Sequence, residues 1–548
     1  MKTKKFLSMA ALALVGAMMT GCSNDDNFDN PQQPENKNNV VTLTATVGFD
    51  DAASTRAVSN AGVKTFAEGD QIAVIYKNAS DETIKTVSTI SSGAGTKTAT
   101  FTVALTNPDN TKAIRYIYPA AMAKATIATN ATIDDDGTVD FTKLNSQTGS
   151  LTTLGNNLDL CTLDAANWTS GTLPTGTLEN KLAILAITVK NSGGTDKTST
   201  ITSLSVGDGS NVYSVTRDAI AGPIYVAIKP TTSATIGVNA SDGTTRYYKE
   251  LTTAKTYDAN NGYSVSWKMN EGGAHLSALK GNFTANNGDK LTGTLGSNVK
   301  ISIADGATVT LDGVSINASG SWTSGNYAGI TCLGNATITL EGTNTVKGFA
   351  DGYPGIFASS GKTLVINGTG EPIASSNGSY NTGSGGAGIG GGDKMNCGNI
   401  EIQSGTVTAT GNQYGAGIGG GQNANCGDIS ISGGTVTATG GNRAAGIGGG
   451  RRGVSGTKGG YDSGSCGNIT ISGGTITATG RDAAAGIGGG RGNNVNYKTS
   501  CGTITITSGV TSVTATKGSG SGNNSIGAGA NGICGTVSIE AGANVTQN

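Results

Sequence analysis

The sequence predicts an all-β chain in two parts: a β-sandwich region over residues 40–270, then a right-handed parallel β-helix over residues 276–548. Three observations carry this. Short runs of alternating apolar and polar residues, separated by Gly, Asn and Asp, fill the first part, and no helical stripe interrupts them. The second part repeats itself. Glycine is abundant, at 88 residues, while proline numbers only 9, which fits many strands and tight turns better than collagen or a disordered linker.

At 548 residues the chain is too long for one ordinary core. Only 13% of residues are charged and the net charge is -1, so the sequence carries no basic footprint for nucleic acid.

Residues 1–21 read as a processing segment. Lys2, Lys4 and Lys5 precede an apolar run from Phe6 to Met19 that suits a signal peptide rather than a membrane span. The run ends in Met19-Thr20-Gly21-Cys22, which resembles a bacterial lipobox and implies acylation of the Cys22 thiol. Ser23-Asn24-Asp25-Asp26 resembles the acidic export signal of Bacteroidetes surface lipoproteins. Residues 22–39 are polar and contain proline, as a flexible tether would. The expected location is the outer membrane, lipid-anchored and facing outward.

In the sandwich region, Val41 to Val47, Gln71 to Tyr76 and part of Leu182 to Val189 alternate with period two. One or two β-sandwiches follow from that pattern. The ordered series Thr55-Arg56-Ala57, Phe66 to Ile72, Tyr118-Pro119-Ala120, Ser146 to Gly149, Glu179 to Val189, Ile224 to Pro230 and Gly262 to Val265 resembles the fimbrillin-like family of Bacteroidetes. That resemblance covers about 230 residues and implies two transthyretin-like sandwiches in a pilus, stalk or tip protein. It also implies proteolytic maturation after Arg56, which would open a groove for an added strand. Asn180 departs from the family pattern, which has a histidine there. The large C-terminal part departs from a shaft subunit, whose C-terminus would serve as the donor strand.

In the second part, Cys397 to Gly411 recurs as Cys426 to Gly440 and Cys466 to Gly480, then in weaker form from Cys501 and Cys534. Between these copies lie Ala387 to Gly392 and its equivalents. Their central isoleucines, Ile389, Ile418, Ile447 and Ile487, are 29, 29 and 40 residues apart, and a loop from Arg452 to Ser465 accounts for the longest step. A period of 29 with three short strands suits one coil of a three-faced β-helix and is too short for a propeller blade. Ile400 and Ile402, Val407 and Ala409, and Ile389 would then point inward and stack on their equivalents about 4.8 Å away. Val309 to Leu311, Ile338 to Leu340 and Leu364 to Ile366 extend the pattern upstream, giving eight or nine coils and a rod of roughly 40 Å. The repeat style resembles carbohydrate-binding β-helix domains related in fold to polysaccharide lyases.

No cofactor or metal is expected. The cysteines before glycine form an in-register column rather than a converging ligand set, and the only histidine, His275, lies outside it. Free, buried thiols are the expectation there, since side-by-side ladders rarely suit a disulfide. The glycine-rich corner at Gly386 to Gly391 matches a dinucleotide fingerprint in form only, for no helix follows it. Acidic residues are spread thinly over 276–548, and the position after the Gly-Gly-Gly corner reads Asp393, Gln422, Arg451 and Arg491, which is no acidic column. An enzyme is therefore not expected. Loop aromatics suit sugar stacking, and Trp322, Tyr327 and Tyr353 are the expected binding group.

The function expected is a cell-surface lipoprotein adhesin that binds glycan or joins a pilus. The alternatives are a polysaccharide-processing β-helix enzyme and a ligand-free stalk. Cells expressing Cys22→Ser and fed a clickable fatty acid should lose the label on this protein; equal labelling of variant and wild type would remove the anchor.

Overall fold

The computed structural model describes residues 39–49, 65–123, 132–151, 154, 160–165, 168–169, 171–317, 325–377, 384–453 and 464–548. Its regular structure is almost wholly β.

The first unit is a closed barrel. Strand Val40–Phe49 pairs antiparallel with Thr98–Thr106 and parallel with Gly176–Asn180. The two faces expected of a sandwich are thereby joined at both edges, and no ladder is left open. Stacked and edge-on aromatic rings fill it: Phe49 lies 4.2 Å from Phe66, and both meet Tyr118 edge to face. The second unit is a sandwich of a three-stranded sheet centred on Ala183–Lys190 and a five-stranded sheet containing Ser203–Gly207 and Thr231–Ser241. Leu185, Ile187, Val206, Val226, Val238 and Tyr213 are fully or almost fully buried in a shared core.

From Gly273 the chain winds into a parallel β-helix. One face is a ladder of nine short strands, from Phe283–Ala285 to Ile526–Gly527. The other two faces alternate along the chain and link into a 17-stranded sheet. Pairing is in register. Ile402, Ile431, Ile471 and Ile506 are successive partners, as are Val407, Val436, Ile476 and Val513. Ile389, Ile418, Ile447, Ile487 and Ile526 form the third column, continued upstream by Ile301, Ile330 and Ile356. Val309, Ile338 and Ile366 lead into Ile402, as the upstream pattern requires. Ile402, Ile431 and Ile471 expose 0% of their surface. Burying each contributes about 1.5–3 kcal/mol, which no isolated coil could obtain.

A polar ladder and a close backbone approach hold the register. Oδ1 of Asn399 accepts the Asp428 N–H at 2.9 Å, Asp428 accepts that of Asn468 at 2.7 Å, and Asn468 accepts that of Thr503 at 2.9 Å. Each coil thus satisfies a backbone donor of the next. At the Gly-Ile corner the backbones approach closely. A Cβ on Gly419, whose φ is +130°, would lie 2.0 Å from the Gly448 carbonyl oxygen.

The sandwich grips the first coil through His275. Oδ1 of Asn239 accepts the His275 N–H at 2.7 Å while its amide donates to the His275 carbonyl at 2.9 Å. Arg246 donates to Asp289 at 2.6 Å, and its guanidinium lies 4.7 Å from the Phe283 ring centre.

The cysteine column departs in part from the free-thiol expectation. Cys397, Cys426 and Cys466 are buried free thiols, but Cys501 and Cys534 form a disulfide between adjacent coils. Their Cα atoms are 4.6 Å apart, so the ladder spacing itself falls within the range a disulfide accepts. Ladder geometry is therefore compatible with the bond.

The in-register ladder makes a sharp prediction for stability. Ile431→Asp places a carboxylate where neither water nor a partner is available, so thermal or denaturant melts should show a loss of several kcal/mol. Ile431→Val should lose only about 1 kcal/mol. An aspartate variant that melts with the wild type would mean this column is not a dry core.

Candidate functional site

Cys22, Arg56 and Trp322 lie outside the described residues. Tyr327 and Tyr353 hold the same place in successive coils, three residues before the paired Ile330 and Ile356. The Tyr327 ring packs 4.6 Å from buried Phe349, and its hydroxyl donates to Asn298. That ring is used for packing between coils. Tyr353 is half-buried, and its carbonyl accepts the Ser376 hydroxyl at 2.7 Å. Both described members of the expected aromatic group are half-buried, and Tyr327 packs its ring against a neighbouring coil.

A second column emerges beside Tyr353. The ladder isoleucine of each coil is followed four residues later by Asp393, Gln422, Arg451 or Arg491. Each backbone N–H at this position bonds to a carbonyl in the preceding coil's corner. Asp393 reaches Gly352 at 2.7 Å, Gln422 reaches Gly385 at 2.6 Å, Arg451 reaches Tyr414 at 2.9 Å and Arg491 reaches Arg443 at 2.8 Å. The residues that precede the ladder isoleucines by four, Gly385, Tyr414 and Arg443, are thus laid alongside those that follow.

The side chains there are polar and incompletely satisfied. The Arg451 guanidinium lies over the Tyr414 ring, 4.2 Å from its centre, yet its Nε is buried without a hydrogen-bond partner. Burial pulls its pKa down; the Tyr414 hydroxyl opposes this, and the cations of Arg443 and Arg491 add to it. Arg443 and Arg491 share one carboxylate, Asp482, at 2.8 and 3.3 Å. Gln422 is only 8% exposed, and its Oε1 lacks a partner. Asp393 Oδ1 is likewise buried and unpartnered. Each such orphan costs about 1–3 kcal/mol in the free protein. Arg443, Lys394 and Asn423 take positive φ values of 64°, 57° and 52° at this corner, a conformation that non-glycine residues rarely adopt.

An aromatic face, buried amides and guanidinium forks together can stack on a sugar and bond its oxygens. Among the described residues no three His, Cys, Asp or Glu side chains come close enough to hold a metal ion. This column carries no run of acidic residues, so it is silent as a catalytic signal in the sequence. The signal is a polar residue at one fixed offset in four successive coils.

Asp393 yields a pH prediction. Burial raises its pKa, opposed by Lys394 and a hydrogen bond to Ser384. The folded chain holds that proton more tightly than the unfolded one, so the associated stability is present in acid and lost as pH rises through the folded value. Asp393→Asn should melt above wild type at pH 7, with the gap closing below about pH 4. A gap independent of pH would show that the ionised carboxylate is not its cause.

A β-helix repeat family matches residues 400–422, 429–451 and 469–491, the three coils that carry most of the column. No curated protein matches the chain. Among solved structures, a provisionally assigned cell adhesion protein from Bacteroides ovatus aligns at 12% identity over 43% of this chain and 95% of its own, with a TM-score of 0.27. A fimbrial assembly protein from Parabacteroides distasonis aligns at 9% identity over 42% of this chain and 92% of its own, with a TM-score of 0.24. The chain is thus similar in its repeats to the β-helix repeat family, and only distantly similar to these two proteins.

Proposed function

We propose that this chain is a lipid-anchored adhesin of the bacterial outer surface, and that its β-helix presents a non-catalytic carbohydrate-binding face. The observation that carries the reading is the corner column. Tyr414, Gln422 and Arg451 offer a ring, an acceptor and a donor on adjacent coils, and two of those polar atoms are buried with nothing to bond. A protein that keeps such atoms unsatisfied on a rigid face accepts a stability cost that a ligand would offset. The lipobox-like Met19 to Cys22 supplies the anchor, and the barrel and sandwich units stand between it and the rod along the chain. Glycosidase or lyase chemistry needs carboxylates or a base placed together around one bond, whereas Asp393 and Asp482 belong to different coils and Asp482 is engaged by two arginines.

A glycan array probed with the purified full chain tests this. Binding to a restricted set of glycans is expected, with no new reducing ends or unsaturated products released from them. Release of either would replace the adhesin with an enzyme. No binding to any glycan would leave a stalk or a protein-binding surface.

A further inference from the structure

Resting on that reading, we propose that the column binds an acidic polysaccharide, a chain of sugars bearing carboxylate or sulfate groups, in one fixed direction along the rod. The column changes character from coil to coil. Asp393 and then Gln422 carry buried orphan acceptors, and Arg451 carries a buried orphan donor in the next coil, so a ligand reaches them only when these side chains turn outward. Hydroxyl groups satisfy the first two; an oxyanion satisfies the third. One ligand supplies both only if it carries hydroxyls and an acid group at a spacing of about one coil, roughly 4.8 Å.

Charge favours the same ligand. Asp482 is the one carboxylate paired with Arg443 and Arg491, and among the described residues no carboxylate lies within ion-pair distance of Arg451. Among the described residues, three guanidinium groups thus face one carboxylate. Arg451 keeps its charge at neutral pH, and among the described residues Asp482 acts on it only from beyond ion-pair distance, which leaves its fork open to an anion from outside. Its position over Tyr414 holds the fork in one plane, which suits two parallel bonds to a carboxylate or sulfate.

The test uses the full chain with polygalacturonate, dextran sulfate and neutral dextran. Binding is measured at low and high salt for wild type, Arg451→Gln, Arg451→Lys, Gln422→Ala and Tyr414→Ala. Wild type should bind one or both acidic polymers, more weakly at high salt, and not the neutral one. Arg451→Gln should weaken binding by about tenfold or more while the melting temperature stays near wild type, and Arg451→Lys should fall between. Preference between the acidic polymers tells carboxylate from sulfate. Binding to neutral dextran alone would overturn the acidic ligand and keep the carbohydrate reading. Binding to none of the three, together with an empty glycan array, would overturn both. Acidic-polymer binding unchanged in Arg451→Lys, Gln422→Ala and Tyr414→Ala would place the ligand elsewhere, even if Arg451→Gln failed to fold.

Discussion

Ile402, Ile431, Ile471 and Ile506 sit in successive coils with their backbones paired residue for residue. Everything else in the C-terminal half depends on that registration. A shift of one residue in any coil would turn its isoleucines outward and its threonines inward, so the apolar columns fix the register strongly. Once fixed, the register brings the Gly-Ile corners close enough that Gly419 tolerates no side chain. It also aligns Asn399, Asp428 and Asn468 so that each caps a backbone donor of the next coil. The outer corner inherits the same order. Asp393, Gln422, Arg451 and Arg491 form a column only because the isoleucines four residues earlier are stacked.

The core and the corner obey opposite rules. Core positions repeat isoleucine or exchange it only for valine in these columns, since a stack of like aliphatic side chains packs closely. Corner positions vary, as the order Asp, Gln, Arg, Arg shows. Variation on a rigid repeat lets each coil contribute a different functional group at a set height. The cost is visible in the orphan atoms of Asp393, Gln422 and Arg451, and the surrounding ladder supplies the stability that tolerates it.

Legibility in the sequence follows the same division. Spacing alone places Ile389, Ile418, Ile447 and Ile487 on one inward column, because a fixed period with buried identical residues has few other solutions. The corner was harder to read. Its residues share an offset but no chemistry, and the neighbours that complete it, Tyr414 and Arg443, come from a different part of the coil. The stacking of Arg451 on Tyr414 crosses between coils and leaves no local signature. Barrel closure was illegible for a related reason: it needs Val47 to pair in parallel with Gly176, two strands at opposite ends of the first unit. The five cysteines before glycine look alike in sequence, yet Cys501 and Cys534 bond while Cys397, Cys426 and Cys466 stay free. Spacing cannot tell those apart.

The central claim is that a rigid aliphatic ladder holds a polar corner ready for a ligand. Hydrogen exchange of the full chain, with and without polygalacturonate, tests it most directly. The account predicts that amides of the ladder strands around Ile402, Ile431 and Ile471 exchange slowly in both states, and that new protection is confined to the corner segments around Tyr414, Gln422, Arg443 and Arg451. Ladder amides that exchange freely in the unliganded chain, or protection that falls on the barrel or sandwich unit instead, would contradict it.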